Sequence, residues 1–426
     1  MSKTKKTTTK KTKPARKRAG SRSPGTAKKT RRATARAPTD RLPFVPDGEG
    51  RVHFVTGYPG FIGKRLVERL ARQQPRAKIY VLVQEKFEAE AERYVSEITR
   101  GRGTAGVEIL VGDIIDMDLG LSGDEFRSLT ESVTDVWHLA AVYYLGVRRD
   151  RMQRVNVDGT RRVLELCREM KRLRRLNYMS TAFVCGDRVG VIAEDELEMG
   201  QRFRNPYEET KYHAEVMVRD AMADLPISVY RPGIVVGDSR TGEIDRFDGP
   251  YYLGILLVTS PVAVPLPLPG DGVAPLNAVP VDFVVDAMLV LSERPEAEGR
   301  TFHLVDPNPM SSRRVYERIA ERTGKRLPRM TLSYRLTDAL MRLPGLERLI
   351  RQQRQAVAYV NHLAIFNSHN TLELLDGTGV RCPPLERYLD RLVDYVQRYY
   401  RTRRSDMEME ADPFDSESDA ASSSPT

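Results

Sequence analysis

From Arg51 onward the chain alternates two kinds of segment. Short apolar runs (HFVTG, KIYVLVQ, VEILVGDI, DVWHLAA, LNYMSTAFV and ISVYRPGIV) are separated by longer stretches that are charged or repeat their apolar residues at helical spacing, as in FIGKRLVERLARQ. Runs of roughly four to eight residues rich in β-branched and aromatic side chains predict strands buried on both faces, and the periodic stretches predict helices. Strands alternating with helices imply a parallel sheet covered on both sides, a doubly wound α/β fold. After about residue 310 the strand signals fade. There SSRRVYERIAERTG and LERYLDRLVDYVQRYY predict a smaller, mostly helical region on the substrate side.

Ahead of Arg51 the pattern vanishes. MSKTKKTTTKKTKPARKRAGSRSPGTAKKTRRATARA has almost no large apolar residue to repay the entropy of ordering, so disorder is expected there and in the acidic C-terminal end. Residues 1–41 hold sixteen Lys or Arg against one acid, Asp40, and residues 405–426 hold seven acids and no base. Between them stand 52 bases and 50 acids, so the net charge of +10 belongs to an appendage and does not describe a nucleic-acid-binding fold. The expected organisation is a disordered basic tail (1–45), a nucleotide-binding domain with substrate insertions (50–310), a helical substrate-side region (311–404) and a disordered acidic tail (405–426). Cys167, Cys185 and Cys382 lack metal-ligand or disulfide-framework spacing, which fits a reducing cytoplasm, and the N-terminus has no apolar signal core. The uncharged stretch 251–270 is long enough to suggest a membrane span, but Pro261, Pro265, Pro267 and Pro269 would break a helix in lipid.

The first predicted strand runs directly into a glycine turn and then a helix. Gly57, Gly60 and Gly63, interleaved with Tyr58, Pro59, Phe61 and Ile62, suit a dinucleotide: the chain must turn sharply and bring its backbone to a pyrophosphate that meets the helix N-terminus. The second strand ends at Gln84, where an NAD enzyme would place an acid against the ribose 2′-hydroxyl. Glu85 follows it, while Lys64, Arg65 and Lys86 offer charge for a 2′-phosphate, so NADP(H) is favoured over NAD(H). Asp113, followed by Ile114 at the next strand end, is placed either to bond the adenine or to cap its own strand.

Tyr207 and Lys211 are four apart, a spacing that on a helix brings the ammonium to the phenol. A tyrosine with a reference pKa near 10 needs such help to exchange a proton at neutral pH. Upstream, Ser180 and Thr181 end a strand where a hydroxyl can orient a substrate oxygen. Trp137 and His138 read as core residues, His138 packing or capping near the cofactor. His213 reads as a surface residue and Cys185 as inert, since no base is evident beside it.

In this order, TGYPGFIG, VGDI, HLAA, NVDGT, STAFV, Tyr-x-x-x-Lys and YRPG resemble the extended short-chain dehydrogenase/reductase family over roughly residues 51–310. GDI, HLAA, YRPGIVVGD and the helical C-terminal region look most like its fatty acyl-CoA reductase and thioester reductase branch. The resemblance implies a Rossmann-type fold, with Thr181 as the catalytic hydroxyl, Tyr207 as general acid/base and Lys211 as ligand of the nicotinamide ribose. Ser180 is the fallback for Thr181, and Asn156 of NVDGT also carries over. Ala140 and the backbone of Arg231, Pro232 and Gly233 are implied at the cofactor. The implied reaction is hydride transfer to a carbonyl or thioester, on acyl-CoA or an acyl carrier protein, with YYLGILLVTSPVAVPLPLP as an apolar surface for the acyl chain. A sugar-nucleotide epimerase or dehydratase, or a 3-hydroxysteroid-type dehydrogenase, shares every one of these motifs. A non-catalytic nucleotide-binding protein docked by its basic tail on nucleic acid or anionic membrane is the alternative of another kind. A cytoplasmic protein, associated with a membrane or the nucleoid through the basic tail, and a homodimer are further expectations.

Overall fold

The computed structural model describes residues 46–100, 103–143, 147–245, 271–325, 359 and 361–402. Both tails and the apolar run 251–269 lie outside these residues, as does the part of the helical region between 326 and 358. Seven strands form one parallel sheet: β1 (Val52–Thr56), β2 (Lys78–Val83), β3 (Gly106–Val111), β4 (Asp135–His138), β5 (Arg175–Met179), β7 (Ile227–Pro232) and β10 (Thr301–Leu304). Every residue of β4, β5 and β7 is buried, and the polar ones among them, such as Asp135, Arg175, Asn177 and Ser228, are hydrogen-bonded inside the fold.

The spatial order is β3-β2-β1-β4-β5-β7-β10. It grows outward in both directions from the β1/β4 pair, and such a reversal leaves a crevice beyond the strands' carboxyl ends. One face of the sheet packs on α1 (Phe61–Gln73), α2 (Glu88–Thr99) and the almost wholly buried α7 (Val281–Ser292). The other packs on α3 (Gly123–Ser132), α5 (Thr160–Glu169) and α6 (Pro206–Asp220). Between β4 and α5, the short α4 (Arg149–Met152) continues as a π-helical segment, Gln153–Gly159.

Two small parallel pairs complete the substrate side: β6 (Gly190–Ile192) with β11 (Ala364–Phe366), and β8 (Ile234–Val236) with β9 (Ala278–Pro280). The C-terminal region is helical as expected, with α8 (Ser312–Thr323), α9 (His369–Leu375) and α10 (Leu389–Thr402), but it also supplies β11. Three-residue strands such as β6 and β11 are too short to leave a period-two signal.

Candidate active site

The glycine turn sits at the carboxyl end of β1. Gly57 has φ 85°, a left-handed conformation that favours glycine. A Cβ there would lie 2.7 Å from Ala140 N, and one on Gly63 would lie 2.4 Å from Gly57 O. The turn is thus wedged between the start of α1 and the end of β4, with room for backbone alone. In α1 the first intrahelical bond runs from Lys64 N to Gly60 O at 2.8 Å, so the N–H groups before it face the crevice without helical partners, as an anionic pyrophosphate requires. These residues fit a dinucleotide. Phe61 and Ile62 pack against the core, and Tyr58 is buried with a hydroxyl that has no partner among the described residues.

At the neighbouring strand ends, Gln84 Nε2 donates to Asp113 Oδ2, and Asp113 Oδ1 accepts from Ile115 N at 3.2 Å. Asp113 is therefore a strand-end cap that also fixes Gln84, while buried Ile114 packs against Gly159. Two of the bases expected near a 2′-phosphate are held by acids. Lys64 Nζ lies 2.7 Å from Asp245, and Arg65 lies 3.0 Å from Glu243. Lys86 stands just past β2, 5.3 Å over the Phe87 ring.

Helix α6 begins at Asn205, whose side chain accepts from Glu208 N at 3.0 Å, with Pro206 in the first turn. Its Lys211, Ala214, Glu215 and Val218 are buried, a stripe at helical spacing that turns Lys211 inward. Partly exposed Tyr207, one turn earlier, faces the Thr181 side chain. Thr181 caps the turn after β5, its Oγ1 accepting from Phe183 N at 3.3 Å. Ser180 instead bonds buried Glu215 Oε2 at 2.5 Å, so Thr181 is the hydroxyl that meets Tyr207.

The four-residue spacing predicts the Lys211 ammonium beside the Tyr207 phenol. In the structure the ammonium bonds Tyr178 OH at 2.9 Å and Met179 O at 2.7 Å. Burial pushes the Tyr207 phenol up to about 12, with the neighbouring Thr181 hydroxyl pulling the other way. Burial also holds Lys211 down to about 7, with Glu215 pulling the other way.

Asn156, in the π-helical segment, brackets the loop after β4: Oδ1 accepts from Val142 N at 2.7 Å, and Nδ2 donates to Val142 O at 3.0 Å. Ala140 N donates to Thr56 Oγ1 at 3.3 Å. The Arg231 side chain points into the core, where Nη2 lies 2.7 Å from Glu215, and Gly233 N donates to Leu304 O at 3.2 Å. His138 is buried between Thr56 and Thr160, and burial lowers its pKa to about 3, so it is neutral and no base. Trp137 is buried, His213 is exposed, and burial raises the Cys185 thiol to about 12.

Sequence reasoning did not single out Tyr178 or Glu215. Glu215 had a signal, since it extends the Tyr-x-x-x-Lys spacing by one more turn. Tyr178 has no such signal, since β5 also carries buried Arg175 and Asn177 among its residues.

A family model described as male sterility protein, of the NAD-binding class, matches residues 55–288. The fatty acyl-CoA reductase wat of Drosophila melanogaster is 28% identical over 275 residues, covering 55% of this chain and 53% of that protein. This chain thus spans about half the length of that relative. The terminal R domain of the myxalamid PKS-NRPS biosynthetic pathway superposes with a TM-score of 0.67 at 27% identity, over 87% of this chain and 96% of that one. UDP-glucuronic acid 4-epimerase from Bacillus cereus, solved with NAD, superposes with a TM-score of 0.59 at 18% identity, over 82% and 99%, and shares the fold.

Proposed function

This chain belongs to the male sterility protein family of NAD-binding domains, and on that footing we propose that it is an NAD(P)H-dependent reductase of acyl thioesters or the corresponding aldehydes. The observation that carries this reading is the Tyr207 phenol facing the Thr181 side chain at the carboxyl end of β5, one helical turn from Lys211, with the glycine turn at the carboxyl end of β1 in the same sheet. The likeness to a fatty acyl-CoA reductase and to an R domain supports the substrate class.

The turn from Gly57 to Gly63, with Gln84, Asp113, Ala140 and Lys211, would hold the dinucleotide, and its nicotinamide supplies a hydride when bound. Thr181 holds the substrate oxygen as charge develops on it. Tyr207, protonated at neutral pH, gives that oxygen its proton. With a thioester the product is a hemithioacetal, which collapses to aldehyde and thiol; repetition on the aldehyde gives an alcohol. Lys86, the base at the end of β2, favours NADP(H) over NAD(H).

Absorbance assays with thioesters of increasing chain length test the reading. Activity is expected to rise with length, since each buried methylene contributes about 0.8 kcal/mol. Turnover of a UDP- or GDP-sugar with no oxidation of NADPH or NADH by any thioester or aldehyde would move the chain to the epimerase or dehydratase branch.

A further inference from the structure

Lys211 is fully buried, and behind its partner Tyr178 lies a run of side-chain contacts from several elements. Its ammonium sits 4.4 Å over the Tyr178 ring as well as bonding the Tyr178 hydroxyl. The Tyr178 hydroxyl also lies beside the Thr160 side chain. From Thr160 the chain of contacts continues to His138 Nε2 at 3.0 Å, from His138 Nδ1 to Thr56 Oγ1 at 2.8 Å, and ends at Ala140 N beside the glycine turn.

The protons of this network can be assigned one by one. Thr160 has a single hydroxyl proton and gives it to Asn156 O at 2.7 Å. His138 Nε2 must then be the donor toward Thr160, which leaves Nδ1 as acceptor for the Thr56 hydroxyl. Thr56 Oγ1 is free to accept from Ala140 N, as observed. An ammonium can only donate, so the Tyr178 oxygen is the acceptor toward Lys211 and its proton is left to turn to the neighbouring Thr160 Oγ1. Both branches converge on Thr160 and stop at a carbonyl, so the network cannot carry a proton away. It can only fix positions.

The geometry points to Tyr178 as a positioning residue for the reaction, its phenol oxygen committed by Thr160 to accept from Lys211 and so to hold the ammonium in place beneath the cofactor crevice. The inference rests on the assignment of Tyr207 and Lys211 made above. Tyr178 OH and Met179 O take two of the three ammonium protons and leave one for the nicotinamide ribose or for Tyr207. The charged and titratable groups facing Lys211 are Glu215 on its own helix, Tyr178 from β5 and His138 from β4, with Tyr207 close to Tyr178. An acceptor on the ammonium favours its charged form; removing that acceptor lets Lys211 lose its proton at lower pH.

The test compares the full chain with Tyr178→Phe, Thr160→Val and Lys211→Met. NADPH and NADH dissociation constants are measured by fluorescence from about pH 6 to about pH 9.5, with melting temperatures alongside. In the unsubstituted protein, affinity is expected to weaken as pH rises through the Lys211 titration, and Lys211→Met should abolish that step. Tyr178→Phe should move its midpoint down by about one unit, the worth of one hydrogen bond to a charged group. Thr160→Val, which frees the Tyr178 proton, should move it less in the same sense, and it decides the matter if Tyr178→Phe does not fold. An unmoved midpoint in the folded variants, or a loss of affinity that follows melting temperature equally at every pH, overturns the inference, as does a step that survives Lys211→Met. Hexadecanoyl-CoA turnover, measured in parallel, separates the two levels: absent turnover with a shifted binding midpoint removes the substrate assignment and leaves the role of Tyr178 standing.

Discussion

Tyr207 shows how much one residue's environment decides. A phenol pushed up to about 12 carries its proton throughout the neutral range, so Tyr207 is set to donate, which suits reduction of a carbonyl. Replacing it with Phe keeps the ring and removes the proton. Turnover of a thioester substrate is expected to fall about a hundredfold or more, with the cofactor dissociation constant unchanged within about twofold. Near-normal turnover would remove Tyr207 from the mechanism. The spacing of Tyr207 and Lys211 placed both on one helix, one turn apart, but it did not place the ammonium, which bonds Tyr178 and Met179. Those partners, and the Thr160 and His138 side chains behind Tyr178, come from two strands and another helix. Their meeting depends on strand register and helix docking, which no local spacing encodes. The same holds for Lys64 and Arg65, whose acids lie far along the chain at Asp245 and Glu243.

At the level of elements, the turn between β1 and α1 joins fold to site. Its three glycines were legible, but the neighbour that makes Gly57 indispensable is the backbone of Leu139 and Ala140, which β1–β4 pairing brings alongside. Gly63 is the sharpest test, because a Cβ there meets Gly57 O at 2.4 Å, a backbone atom that cannot swing away. Gly63→Ala is expected to push the turn out of shape. It should cost about 1–3 kcal/mol of stability by urea titration and weaken cofactor binding at least about tenfold. Wild-type affinity in this variant would mean that the turn does not contact the dinucleotide. Long buried strands and helices with a clear apolar stripe were readable here, as β5 and α10 were. The π-helical segment around Asn156 was not, since its purpose is to aim one side chain at Val142 and it has no periodic signature of its own.

For the whole molecule, the strand order places the glycine turn and the Thr181–Tyr207 pair at the carboxyl end of one sheet, and α6 carries Lys211 to the same end. That alternation of strand and helix could be read from the chain, because parallel strands need crossovers and crossovers here are helices. No helix among the described residues is long and apolar enough to cross a membrane. The imbalance of charge belongs to another level, since sixteen bases against one acid in residues 1–41 sit outside a stretch, 42–404, that is almost neutral. A segment with so few large apolar residues has little to add to a core, and the residues proposed to hold the cofactor all lie beyond it. Deleting residues 1–41 is therefore expected to leave the melting temperature within about 2 °C and the cofactor dissociation constant within about twofold. Any binding to DNA or to anionic vesicles should disappear with the segment, because such binding is driven by counterion release from clustered bases and falls steeply with salt. If the truncated protein still bound DNA with a steep salt dependence, the basic surface would lie in the folded part, and the division of charge by region would be wrong.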